Sequence, residues 1–173
     1  MYKLTSLSYY FWFLLLIGFN NSSFSKSANF VFQITPGAGI TGSAFSTNTL
    51  FFIGLKKHKS SNLLAFKYTY IEKNSDGFFY RHNVYKVWEG GILFVRGFYN
   101  TKKIIFLGAG LGYLKGSYHI KDKTVKILTV PLEIHFIYSF SPVVGIGMNL
   151  YASINKEQSY FGAGLNISFG KLY

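Results

Sequence analysis

The sequence contains no cysteine, only three prolines and few acidic residues. Without cysteine the chain has no disulfide framework, no thiolate metal site and no cysteine that could carry a lipid anchor. Six aspartates and glutamates stand against 18 lysines and arginines, which gives a formal net charge of +12. That balance favours anionic partners such as phosphate-bearing lipid. The four histidines are well separated, so we predict neither a metal site nor a bound cofactor.

No hydrophobic run reaches the roughly 20 residues that a transmembrane helix needs. The densest run covers residues 9–19, follows a short positive start at Lys3, and precedes a polar stretch rich in small residues. This arrangement is typical of a secretory signal peptide. We predict a signal peptide over residues 1–27, cleaved after Ser25 or Ser27, and a single domain over residues 28–173. The alternative is an uncleaved anchor helix.

Large apolar residues alternate with small or polar ones through most of the remaining chain, which is the period of a β-strand. The segments 29–34, 64–70, 130–138, 144–152 and 161–169 each carry most of their large apolar residues on one parity, and the exceptions are Val31, Ile137 and Tyr151. The clearest segment is 105–113, where the other parity holds one phenylalanine and three glycines. Its large-residue set is Ile105, Leu107, Ala109, Leu111 and Tyr113.

The second face of these segments consists mainly of glycine, serine, asparagine and glutamine, and it lacks the dense charge of a water-exposed sheet. Such faces predict an inverted barrel, with large apolar groups towards lipid and small groups inside. The fold class is therefore all-β, an antiparallel up-and-down transmembrane barrel of about eight strands. Short periplasmic turns are expected at residues 58–62, 100–102 and 139–142. Longer external connections are expected at 41–49, 72–80, 115–124 and 155–159.

Five charged or titratable residues are candidates for a polar network inside the barrel. Glu89 and Arg96 fall on opposite parities, so we predict a bulge at Gly90-Gly91 that turns both side chains inward. Charges in a narrow lumen must be paired. A catalytic acid/base pair of a glutamate and a histidine is the less favoured alternative. The predicted network is Lys67, Glu89, Arg96, Glu133 and His135.

Three motifs carry a resemblance to a known group. They are Gly-Ala-Gly-Leu-Gly-Tyr at residues 108–113, Val-Pro-Leu-Glu-Ile at 130–134, and the closing segment at 162–169 with a terminal tyrosine. The chain resembles small outer-membrane β-barrel proteins of the OmpX/OmpW-like "porin family" type over residues 29–173. The resemblance implies a bacterial outer-membrane location and a last strand read by the barrel-assembly machinery. The residues that match this assembly signal are Leu165, Ile167, Phe169 and Tyr173, while Lys171 departs from it.

The expected function is that of a monomeric, non-enzymatic barrel with a structural or surface-interaction role, or minor solute passage. We expect it to contact outer-membrane lipid and not nucleic acid. One alternative is a lipid-modifying hydrolase using Ser117 and His119, although their order is the reverse of the His-x-Ser order in such barrels. Another is a secreted lipocalin-like barrel. An external loop is predicted to meet lipopolysaccharide phosphates through Lys115, Lys121, Lys123 and Lys126.

Overall fold

The computed structural model describes residues 29–41, 44–57, 59–72, 84–118, 123–157 and 159–171. These residues form eight antiparallel strands, and each strand pairs with the next. The last strand pairs with the first, so the sheet closes into an up-and-down barrel. The strands are β1 (Asn29–Thr41), β2 (Ala44–Lys57), β3 (Ser60–Glu72), β4 (Val84–Asn100), β5 (Lys103–Tyr118), β6 (Lys123–Ser139), β7 (Val144–Ile154) and β8 (Tyr160–Gly170).

The predicted all-β barrel and its strand number are thus confirmed. The predicted signal peptide over residues 1–27 lies outside the described residues. Within the described part of the chain, no helix is long and apolar enough to cross a membrane.

The two ends of the barrel differ in their connections. The β2–β3, β4–β5 and β6–β7 turns lie beside the start of β1 and the end of β8, and we call this the terminal end. The other four connections lie at the opposite end, called the loop end. The expectation of a long connection over residues 41–49 is wrong, because Thr41 already pairs with Ala44. Ser46 and Asn48 are polar because they face the lumen as part of β2.

Burial alternates with a period of two along the strands, and it confirms the faces predicted from the sequence. In β5, Leu107 and Leu111 point outward and are 43% and 52% exposed, whereas Phe106 points inward and is 1% exposed. The same parity holds in β3, β6, β7 and β8. The outer wall is therefore covered with large apolar side chains, which is the surface expected for a barrel surrounded by lipid.

The predicted bulge in β4 is wrong. Pairing with β3 and β5 continues without a shift through Gly90 and Gly91, and the only irregularity in these two ladders falls between Val84 and Lys86. Arg96 consequently lies on the outward face and not in the lumen. Its Nη1 donates to the Oδ1 of Asn62 on the neighbouring strand at 2.7 Å. A guanidinium is tolerated on the outward face because it has this hydrogen bond and because the long side chain can extend towards the polar interface.

Candidate functional site

The lumen is filled in three layers. A terminal-end cluster and a loop-end cluster are apolar, and a polar layer lies between them. Loop-end cluster residues are Ala44, Ile71, Val87, Leu114, Tyr151 and Tyr160. Terminal-end cluster residues are Val31, Leu50, Phe52, Leu63, Ala65, Leu93, Val95, Tyr99, Ile104, Phe106 and Ile137. Eight strands enclose only enough space for side chains, which is how this barrel uses its interior.

Lys67 connects two carboxylates at the centre of the polar layer. Its Nζ lies 2.9 Å from Oε2 of Glu89 and 3.0 Å from Oε1 of Glu133. The three side chains come from β3, β4 and β6 and are at most 1% exposed. Charges buried this deeply are stable only with close partners and further hydrogen bonds. The lysine therefore joins three separate strands across the lumen.

Three hydroxyl groups supply the remaining partners of Glu89. Thr129 donates to Oε1 at 2.6 Å, and Ser153 donates to the same oxygen at 2.5 Å. Tyr160 donates to Oε2 at 2.5 Å. These donors stabilise a carboxylate without adding positive charge. They come from β6, β7 and β8, so one glutamate on β4 contacts the opposite wall of the barrel.

Glu133 has its own set of donors. Asn48 donates from Nδ2 to Oε1 at 3.2 Å, and His135 donates from Nε2 to Oε2 at 3.2 Å. Nδ1 of the same imidazole lies 3.5 Å from Nδ2 of Asn166. The imidazole also meets the ring of Phe52 edge-on, with centroids 5.9 Å apart. The polar layer and the terminal-end cluster are thus in direct contact.

The structure brings together four of the five residues proposed for the lumen network, namely Lys67, Glu89, Glu133 and His135. Arg96 is separate, as described above. The hydroxyl and amide partners were not singled out from the sequence, because isolated serines, threonines and asparagines are ordinary on an inward strand face. Their parity was the only available signal.

The chemistry open to this layer is limited by its coverage. Glu133 is 2% exposed and His135 is 1% exposed, with an apolar cluster on either side. An acid/base catalyst must come within hydrogen-bond reach of a substrate. The layer is arranged to cross-link the barrel wall. Among the described residues, no group of three or more histidines, aspartates or glutamates could hold a metal ion.

The outer wall carries a membrane-sized apolar band. On β5, the outward residues between Lys103 and Lys115 are those of the predicted apolar set, from Ile105 to Tyr113. Twelve residue steps along a strand tilted by about 40° span roughly 30 Å of height. That height is close to the roughly 30 Å hydrocarbon thickness of a bilayer. The two exposed lysines therefore mark the two edges of the band.

Aromatic and basic side chains meet at the loop-end edge of this band. Lys115 pairs directly with Lys126 on β6 and with Trp88 on β4, and all three are exposed. The ring centroids of Trp88 and Tyr70 are 4.4 Å apart. Tryptophan and tyrosine at such an edge are typical of a membrane interface. Like charges placed opposite each other in a ladder are destabilising unless an anion lies between them.

These lysines were predicted to lie in an external loop, and for Lys115 and Lys126 that is wrong, because both lie on strands. The strands extend past the apolar band, as β5 reaches Tyr118 and β6 begins at Lys123. The side chain of Lys123 is outside the described part of the structure, and so is all of Lys121.

The proposed assembly signal lies on β8. Leu165, Ile167 and Phe169 face outward with exposed fractions of 68%, 47% and 44%. Tyr173 lies outside the described residues. The recognition of this strand by an assembly machinery stays a prediction.

Comparison with solved structures shows the same fold in other proteins. Neisserial surface protein A matches with a TM-score of 0.58 and 15% identity, covering 85% of this chain and all of that one. Ail, the attachment invasion locus protein of Yersinia pestis, matches with a TM-score of 0.52 and 8% identity over 83% of this chain and 96% of its own.

The N-terminal β-barrel domain of Pseudomonas aeruginosa OprF matches with a TM-score of 0.51 and 12% identity over 83% of this chain and 99% of that one. The sequence matches no protein-family model and no curated protein. The chain therefore has the fold of the small bacterial outer-membrane barrels, as the resemblance in its sequence implied.

Proposed function

We propose that this chain is a non-enzymatic, monomeric barrel of the bacterial outer membrane whose loop-end wall binds lipopolysaccharide phosphates. The observation that carries the proposal is the apolar outer band bounded by lysines on β5. Barrels of this fold include a Neisserial surface protein and an outer-membrane protein of Yersinia pestis. The latter has also been solved with the heparin analogue sucrose octasulfate, so such a barrel can bind a polyanion.

The filled lumen argues against solute passage as the main role. Phe52 and Phe106 stack in the terminal-end cluster with ring centroids 4.9 Å apart, and the polar layer fills the lumen on their loop-end side. The soluble lipocalin-like alternative would place the large apolar residues inside, whereas here they cover the outside. The hydrolase alternative gains no geometric support, because His119 lies outside the described residues.

The location has a direct test. Separated membranes of cells producing the full chain should contain the protein in the outer-membrane fraction. The detergent-solubilised barrel should migrate differently on a gel with and without boiling, because a closed barrel resists detergent until heated. A protein found in the soluble fraction, with no change in migration, would contradict the outer-membrane proposal.

The loop-end lysines should govern affinity for lipopolysaccharide. Replacing Lys115→Gln and Lys126→Gln together should weaken binding about thirtyfold, because each cation near an anionic surface contributes about 1 kcal/mol, which is about fivefold in affinity. Binding of the folded barrel in neutral detergent to fluorescent lipopolysaccharide measures the effect, which should shrink as salt is raised.

The matched control replaces Lys86→Gln and Lys156→Gln, two exposed lysines at the same end. Lys86 already pairs with Glu72 at 3.3 Å, so its removal should matter less. Equal losses in both double variants would indicate a general effect of charge and would contradict a site at the paired lysines.

A further inference from the structure

The acidic residues that the structure describes lie only in the lumen and at the loop end. Glu89 and Glu133 lie in the lumen, and Glu72 and Glu157 lie at the loop end. The two aspartates lie outside the described residues, and by sequence they fall between β3 and β4 and between β5 and β6. The terminal-end turns and the strand residues next to them hold only basic charges. By sequence these are Lys56, Lys57, Lys59, Arg96, Lys102, Lys103 and Lys171.

Two of these cations are already engaged. Lys56 follows the inward parity of β2, and its Nζ lies 4.4 Å from the ring centroid of Tyr99, which it covers at the lumen mouth. The hydroxyl of Tyr99 lies 3.0 Å from that of Ser61. Arg96 is bonded to Asn62. Both side chains are therefore part of the barrel's own packing.

Four other lysines form an exposed set that we call the terminal rim: Lys59, Lys102, Lys103 and Lys171. Among the described residues, none of the four has an acidic group within ion-pair distance. Unpaired cations of one sign repel one another, and this repulsion is relieved by anions from outside. The rim thus offers a positively charged surface that no acidic side chain in the described part of the chain neutralises.

The rim lies at the edge of the apolar band. Lys103 pairs directly with Tyr138, whose ring meets that of Phe140 with centroids 5.4 Å apart. The backbone of Lys171 is tied to the wall, since its N–H donates to the carbonyl of Phe32 at 2.8 Å. Phe32, Tyr138 and Phe140 are all exposed on the outer surface. Lysines beside such aromatic residues lie at the depth of lipid phosphate groups.

We propose that the terminal rim binds the phosphates of anionic phospholipid, such as phosphatidylglycerol, in the leaflet around the terminal end. A zwitterionic headgroup carries its own ammonium group, which the four lysines repel, so a net negative headgroup is preferred. The continuity of the rim with the apolar band favours a lipid over a soluble polyanion, which would not need that band. This inference rests on the proposed membrane location.

The test uses lipid contact with a single tryptophan in residues 28–173, the predicted domain, which does not include Trp12. The substitutions Trp88→Phe and Tyr138→Trp place the fluorescent tryptophan beside Lys103. Brominated lipids quench the fluorescence of a tryptophan that they contact. In vesicles of phosphatidylcholine, brominated phosphatidylglycerol should quench at about threefold lower mole fraction than brominated phosphatidylcholine. The two lipids should quench equally in a variant that also replaces the four rim lysines with glutamine (Lys59→Gln, Lys102→Gln, Lys103→Gln and Lys171→Gln).

The protein with its native Trp88 is the matched control, because that residue lies near the loop end. Its ratio of quenching by the two lipids should not change when the four rim lysines are replaced. A folded barrel with equal quenching at position 138 while the rim is intact would overturn the inference. So would a preference that survives loss of the rim. Failure to fold into vesicles, seen as no heat-dependent gel shift, would instead contradict the proposed membrane barrel.

Discussion

Replacing Lys67→Met is expected to destabilise the folded barrel by about 3–5 kcal/mol. The substitution removes the cation that lies 2.9 Å from Glu89 and 3.0 Å from Glu133. Both carboxylates remain buried, because the apolar clusters on either side exclude water. An uncompensated charge at such a depth costs far more than the loss of an exposed ion pair.

Urea unfolding of the barrel in detergent micelles, followed by Trp88 fluorescence, measures the change. A triple variant that adds Glu89→Gln and Glu133→Gln should recover most of the lost free energy of unfolding, because replacing all members of a buried charged group is often neutral. The exposed Lys86→Met variant should unfold like the parent protein. If the single and triple variants were equally unstable, the packing of Lys67 and not its charge would explain the loss.

Alternation in the sequence predicted the faces of the strands because side-chain direction in a strand depends only on parity. Phe30 and Phe32 in β1 and Ile167 and Phe169 in β8 are outward as the pattern indicated. Arg96 was wrongly placed in the lumen because a charged side chain was not expected on the lipid-facing wall. On that wall the guanidinium donates a hydrogen bond to the side-chain oxygen of Asn62. Asn62 is its neighbour because of the register between β3 and β4, which the sequence does not reveal.

The lumen network could be predicted only in part for a related reason. Lys67, Glu133 and His135 are recognisable as inward charges or titratable groups within their own strands. The contact of Glu89 with Tyr160 joins β4 to β8 across the lumen. Such a contact depends on the stagger of the closed barrel, which is fixed by all eight registers together. The sequence of a single strand contains no sign of it.

Strand length outside the membrane was also difficult to predict. Polar residues near the loop end of β2, β5 and β6 suggested loops, yet these residues pair in the sheet. Outside the apolar band both faces of a strand can be polar, so the alternation that marks the band disappears. The ladders then continue without a hydrophobic pattern, as with Lys115 and Lys126.

Replacing Leu111→Arg should destabilise the barrel in phospholipid vesicles by about 2–4 kcal/mol. Leu111 points outward within the apolar band of β5, two residues from the midpoint between Lys103 and Lys115, and its side chain is 52% exposed. In a water-soluble barrel an arginine at a half-exposed position would gain hydration and leave stability almost unchanged. In a bilayer the same guanidinium lies in hydrocarbon. The free energy of unfolding, from guanidinium titrations in vesicles, distinguishes these environments.

Leu128→Arg is the control, because it places the same substitution closer to the edge of the apolar band. Leu128 is also an outward leucine, 76% exposed, and it pairs with Tyr113 near the loop-end edge of the band. An arginine there can reach the phosphate region, so the cost should fall to about 0–1 kcal/mol. Equal costs at both positions would contradict a membrane around this wall. A cost that is large at Leu111 and small at Leu128 would follow directly from a hydrocarbon layer between the two rows of lysines.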